Sequence, residues 1–177
     1  MSSYRGELVR HAGSPESPVE RIIVSIEQTL AEATITYEVI GDLVEVVLPD
    51  VGQSERRDGL WTTTCLELFA KPVGGETYLE WNFAPNTAWA AYRFDGYRAG
   101  MRNADVPPPF ITAISSDAYR MTVITALPPL PCWVGLSAVI RDIDGGTSYW
   151  ALAHPPGKAD FHHADCFVAE LAPSKGA

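Results

Sequence analysis

Basic residues, cysteines and long apolar runs are all scarce in this chain of 177 residues, and each scarcity removes a class of function. Only 13 lysines and arginines stand against 22 aspartates and glutamates, so the formal charge of −9 repels nucleic-acid backbones and anionic lipid surfaces alike. Neither nucleic acid nor membrane is an expected partner. The three cysteines, Cys65, Cys132 and Cys166, are odd in number and far apart, which argues for reduced thiols rather than a disulfide framework. No stretch reaches the ~18 apolar residues of a membrane span, and the opening MSSYRGELVRHAG lacks the apolar run of a secretory signal. A cytoplasmic location is the expectation. Also missing are G-x-S-x-G, a phosphate-binding glycine loop, a dinucleotide fingerprint and H-E-x-x-H, so none of those chemistries has a signal here.

What is present reads as strands. Short apolar, β-branched runs (RIIVSIEQTL, ATITYEVI, LVEVVLPD, YRMTVITALP and VGLSAVIRD) are separated by Gly, Pro, Asp or Asn. The segment from Val19 to Leu30 also carries a helical stripe, but its β-branched crowding favours a strand. Ile40-Gly41-Asp42, Pro72-Val73-Gly74-Gly75 and Asp142 to Gly146 are placed to close hairpins. Prolines at 107–109, at 128, 129 and 131, and at 155–156 lack backbone donors and belong in crossings outside the ladders. The expected architecture is all-β: one antiparallel two-sheet sandwich, jelly-roll-like, over residues 1–172, with a loose tail at 173–177.

The most informative stretch runs from Trp61 to Asp95. Centring its first turn between Val73 and Gly74 sets Glu67 directly against Glu80, with Leu66, Leu68, Leu79, Trp81, Phe83, Ala90, Tyr92 and Phe94 on a core face. The other face then carries Cys65, Glu67, Phe69, Tyr78, Glu80, Asn82, Trp89, Arg93 and Asp95. Opposed carboxylates repel by up to ~1 kcal/mol in a sheet, so a row of Glu67, Glu80 and Arg93 among ring side chains points to a platform for hydroxyl groups.

LWTTTCLELF followed by YLEWNFAPNTAWAAYRF, and later YWALAHPPGKADFHHADCFVAEL, resemble three ordered blocks of the DOMON-like β-sandwiches related to family-nine carbohydrate-binding modules. The resemblance covers Leu60 to Leu171 and implies a sugar ring clamped by Trp61 and Trp150, with Glu67 and Arg93 taking its hydroxyls. Thr62-Thr63-Thr64 stand where many relatives carry an acidic pair, so no calcium ion is implied there.

The expected site is therefore Trp61, Glu67, Glu80, Asn82, Arg93, Trp150 and His162, binding a saccharide or another small polar molecule without catalysis. Two alternatives stay open. Haem b, which some relatives hold through Met with His or Lys, has Met101 and Met121 available, and a retaining glycosidase could use Glu67 and Glu80. No cofactor is predicted: His154, His162, His163 and Cys166 lie within thirteen residues, but their spacing matches no zinc signature.

Overall fold

The computed structural model describes residues 1–29 and 32–172, and there the chain is an antiparallel β-sandwich, as the short runs predict. Its strands are β1 (Ser2–Arg10), β2 (Val19–Gln28), β3 (Ala33–Gly41), β4 (Cys65–Pro72), β5 (Tyr78–Phe83) and β6 (Trp89–Phe94), then β7 (Arg102–Asn103), β8 (Phe110–Ser115), β9 (Tyr119–Thr125), β10 (Cys132–Arg141), β11 (Thr147–Ala151) and β12 (Ala169–Leu171). They join in the order β7-β6-β5-β4-β10-β11-β1-β2-β3-β9-β8, with β12 beside β10. One strand belongs to both layers. Residues 2–8 of β1 pair with β2, while Val9 and Arg10 pair with β11, so the sheet curls over on itself at that strand.

Between the layers lies the main core. Ile22, Val24 and Ile26 of β2, Ile35 and Tyr37 of β3 and Met121 of β9 meet Leu66 and Leu68 of β4, Trp81 and Phe83 of β5 and Leu136 of β10, all essentially fully buried. Each such side chain contributes about 1.5–3 kcal/mol through burial, enough for the alternation to override the helical stripe in β2. A bulge between Val19 and Arg21 lets both Val19 and Ile22 point inward. Leu30, the end of the expected strand, and the expected tail 173–177 lie outside the described residues.

Two expectations need correction. LVEVVLPD forms no strand: Leu43–Glu45 is a 3₁₀ turn capped by the Asp42 side chain, and Val46 makes only an isolated bridge to Asp142. Ile40-Gly41-Asp42 consequently closes no hairpin, since β3 pairs with β2 and β9. The other two turns do close hairpins, β4–β5 and β10–β11, and the three proline groups all lie between strands.

The layer holding β4, β5 and β10 is buried on both faces. Its outer face carries a second apolar cluster that includes Leu60, Phe69, Tyr78, Phe94, Val139 and Phe161. Residues 152–168, between β11 and β12, cross this face as a strap. The crossing is close: a Cβ on Gly135 of β10 would stand 2.9 Å from the Cys166 carbonyl oxygen, so only glycine lets the strap lie flat there.

Candidate functional site

Pairing along β4, β5 and β6 places the polar groups of the outer face. Glu67 stands opposite Asn82 and Phe69 opposite Glu80, so the hairpin is two residues out of the expected register and the two glutamates are diagonal neighbours rather than direct partners. A shift of two keeps every side chain on its face, which is why both still point the same way. The next turn differs in phase. Ala84 and Ala88 bond to each other around Pro85-Asn86-Thr87, with Thr87 at a φ of 71°, and this three-residue loop sets Glu80 against Tyr92 and Leu79 against Arg93. Tyr92 and Phe94 therefore join the glutamates, whereas Trp89 packs in the main core.

Strap and sheet enclose a pocket of about 380 Å³, into which the sheet contributes Glu67, Glu80, Phe94, Val139 and Tyr149. Asp160, Phe161 and His162 come from the strap, Arg98 and Met101 from the segment after β6, and Trp61 from the 3₁₀ turn Leu60–Thr62. Trp61 is 42% exposed at the rim and meets Tyr92 edge-on at 5.8 Å. Glu67 and Glu80 form the polar floor, only 3% and 5% exposed.

Each floor carboxyl has one protein donor. Ser137 Oγ donates to Glu67 Oε2 at 3.2 Å, and Asn82 Nδ2 to Glu80 Oε1 at 2.8 Å. The backbone carbonyl of Glu67 accepts the Tyr37 hydroxyl at 2.6 Å from the opposite layer, which pins β4 under the pocket. Burial, then the neighbouring Glu80 charge, pushes the Glu67 carboxyl well above its ordinary range. Burial raises Glu80 to about 7, with the Asn82 bond and the Arg98 charge opposing it. Near neutral pH, then, Glu80 sits close to its midpoint, while burial and the Glu80 charge bias Glu67 toward its protonated form.

A relay holds the strap to the β6–β7 turn. Arg98 donates to Asp160 Oδ1 through Nε at 3.2 Å and Nη2 at 2.7 Å, and the Tyr97 hydroxyl donates to Asp160 Oδ2. Burial works to raise the Asp160 carboxyl, but the Tyr97 and Arg98 bonds outweigh it and hold it below its ordinary value. Arg98 sits at a φ of 53°, a left-handed conformation costing a non-glycine residue about 1–2 kcal/mol. Strain of this kind concentrates at functional sites. Its backbone N–H donates to Tyr78 Oη at 3.2 Å, and the same hydroxyl hydrogen-bonds His162 Nδ1 at 2.8 Å. The other ring nitrogen, Nε2, faces Glu80 Oε2 at 3.7 Å. Burial and then the Arg98 charge bring His162 down to about 4, so this contact is between a neutral ring and a carboxyl.

Of the residues expected from sequence, Trp61, Glu67, Glu80 and His162 line the pocket, and Asn82 lies beneath it as the Glu80 donor. Arg93 and Trp150 do not. Arg93 is exposed and shares the Leu79 side of its strand, because the three-residue loop fixes the opposite phase. Trp150 is buried in the main core with its Nε1 donating to Ser148, and its neighbour Tyr149 takes the pocket side. Phe94, expected on the core face, lines the pocket instead, and Arg98, Asp160 and Phe161 join it without any sequence signal. No local pattern marks which loop reaches back over a sheet.

Met101 stands at the pocket rim and Met121 is fully buried between the layers. Cys166 Sγ donates to the Asp160 carbonyl and His154 Nε2 contacts the Val9 carbonyl. Among the described residues, no group of three or more His, Cys, Asp or Glu side chains is placed to hold a metal ion. Nor is any helix there long and apolar enough to cross a membrane.

No family model matches the chain, and no curated protein sequence does. Its fold is similar to that in the crystal structure of a "putative carbohydrate-binding protein" from Bacteroides uniformis ATCC 8492, with a TM-score of 0.60 and 12% identity over 96% of this chain and 84% of that one. At that identity the likeness is one of fold.

Proposed function

We propose that the pocket binds a small saccharide, and that the chain is a non-catalytic binding module of the DOMON-like type related to family-nine carbohydrate-binding modules. One observation carries this reading: ring side chains surround two buried carboxyls that each keep an oxygen free for a ligand. The flat C–H face of a pyranose packs on Trp61 or Tyr149 while its rim hydroxyls donate to the floor. A volume of about 380 Å³ lies at the small end of ligand cavities, about 300–1,000 Å³, so a sugar of one or two rings is the right scale. Support from outside the chain is the carbohydrate-binding description of the Bacteroides protein with the similar fold.

Titration calorimetry with a panel of mono- and disaccharides tests the reading. At least one sugar is expected to bind saturably, and Trp61→Ala to stay folded while losing tenfold or more in affinity, about 1.4 kcal/mol. A folded protein that takes up none of them sinks the proposal. Hydrolysis of aryl glycosides, abolished in Glu67→Gln, would instead make the glutamate pair catalytic and overturn the non-catalytic part.

A further inference from the structure

The floor of the pocket is unusually short of donors. Beyond the Ser137 and Asn82 bonds, Glu67 Oε1 and Glu80 Oε2 accept no hydrogen bond from any described residue, although both side chains are more than nine-tenths buried and line the cavity. His162 Nε2 stands 3.7 Å from Glu80 Oε2, beyond hydrogen-bond reach. Arg98 is the one cation among the lining residues, and its guanidinium is already committed to Asp160. The Arg98 charge favours the ionised form of both glutamates, but its hydrogen bonds go to Asp160, so neither carboxyl has a cationic donor. Around Glu80 stand Cys65 and Glu67 of β4, Tyr78 of β5 and Tyr92 of β6, none of them a cation. Above the floor, Trp61, Phe94, Tyr149 and Phe161 present ring surfaces.

We infer that the sugar taken by this pocket carries a protonated amine, seated between Glu67 and Glu80. An ammonium brings three donors and no acceptor, which matches two oxygens that lack donors better than a hydroxyl does, and its bonds to a carboxylate are charge-assisted. Ring faces beside the acids add cation–π attraction. This inference rests on the saccharide reading and narrows it to amino sugars. It also fixes a proton balance: the arriving cation favours the ionised floor, so binding expels the proton that Glu80 shares with solvent near neutral pH.

The test is calorimetry at about pH 6.5 with glucosamine and galactosamine against glucose, galactose and N-acetylglucosamine, in two buffers of different ionisation heat. An amino sugar is expected to bind roughly ten- to a hundredfold more tightly than its hydroxyl counterpart, the range for a hydrogen bond to a charged group. With Glu80 titrating at about 7, its binding should release roughly 0.8 proton from that carboxyl. Glu80→Gln should bring the ratio of amine to hydroxyl affinity close to one. Equal or tighter binding of glucose or galactose, without proton release, overturns the amine and leaves the saccharide reading standing. Binding of none of the five overturns both.

Discussion

Replacing Glu80 by glutamine removes a buried charge while keeping the shape and the acceptor that Asn82 Nδ2 uses. In the wild type, burial lifts this carboxyl from 4.5 to about 7. At about 1.4 kcal/mol for each tenfold change in proton affinity, holding Glu80 ionised inside the fold costs about 3 kcal/mol. The sign follows from proton counts. Between pH 4.5 and about 7 the folded chain binds more protons at this position than the unfolded chain, so wild-type stability falls as pH rises through that window and then levels off. The glutamine variant has no such loss. At pH 8 it should be the more stable protein by about 3 kcal/mol, or about 6–12 °C in Tm for a chain of this size, and the advantage should vanish below pH 4.5. Urea denaturation at pH 4.5 and at pH 8 measures both ends. Parallel stability curves for wild type and variant across that range would show that Glu80 is not held in a charge-averse site, and the electrostatic description of the pocket floor would fall.

Other outcomes follow from the same geometry. Trp61→Ala, at an exposed rim position, should leave the melting curve nearly unchanged while weakening sugar binding tenfold or more, about 1.4 kcal/mol, by calorimetry. Arg98→Ala frees Asp160 and loosens the strap, so binding should fall, whereas Arg93→Ala, facing away from the pocket, should bind like the wild type; equal losses in both would put the pocket on the wrong face. Gly135→Ala drives a methyl against the Cys166 carbonyl, with an expected loss of about 1–3 kcal/mol by thermal denaturation and a weaker site, because the strap carrying Asp160 and His162 must move.

Much of this molecule is readable along the chain wherever a single periodic rule applies. The β-branched runs of β2, β3 and β9 bury alternate residues, and that period of two is local, so composition and spacing expose it. Glu67 and Glu80 share a face for the same reason, and a register error of two residues leaves that result intact. What the local rule does not carry is phase across a turn. One residue more or less between Phe83 and Trp89 exchanges Arg93 for Tyr92 and Phe94, and TSYWA offers adjacent aromatics, of which only the β10 pairing selects Tyr149 for the pocket and Trp150 for the core. The roof lies further still from sequence. Asp160 and His162 come over the glutamates on a strap that folds back across the sheet, against a glycine that leaves it room, and Arg98 meets them there from the β6–β7 turn. Contacts between segments so distant along the chain arise from packing and loop closure, which no neighbouring residue encodes.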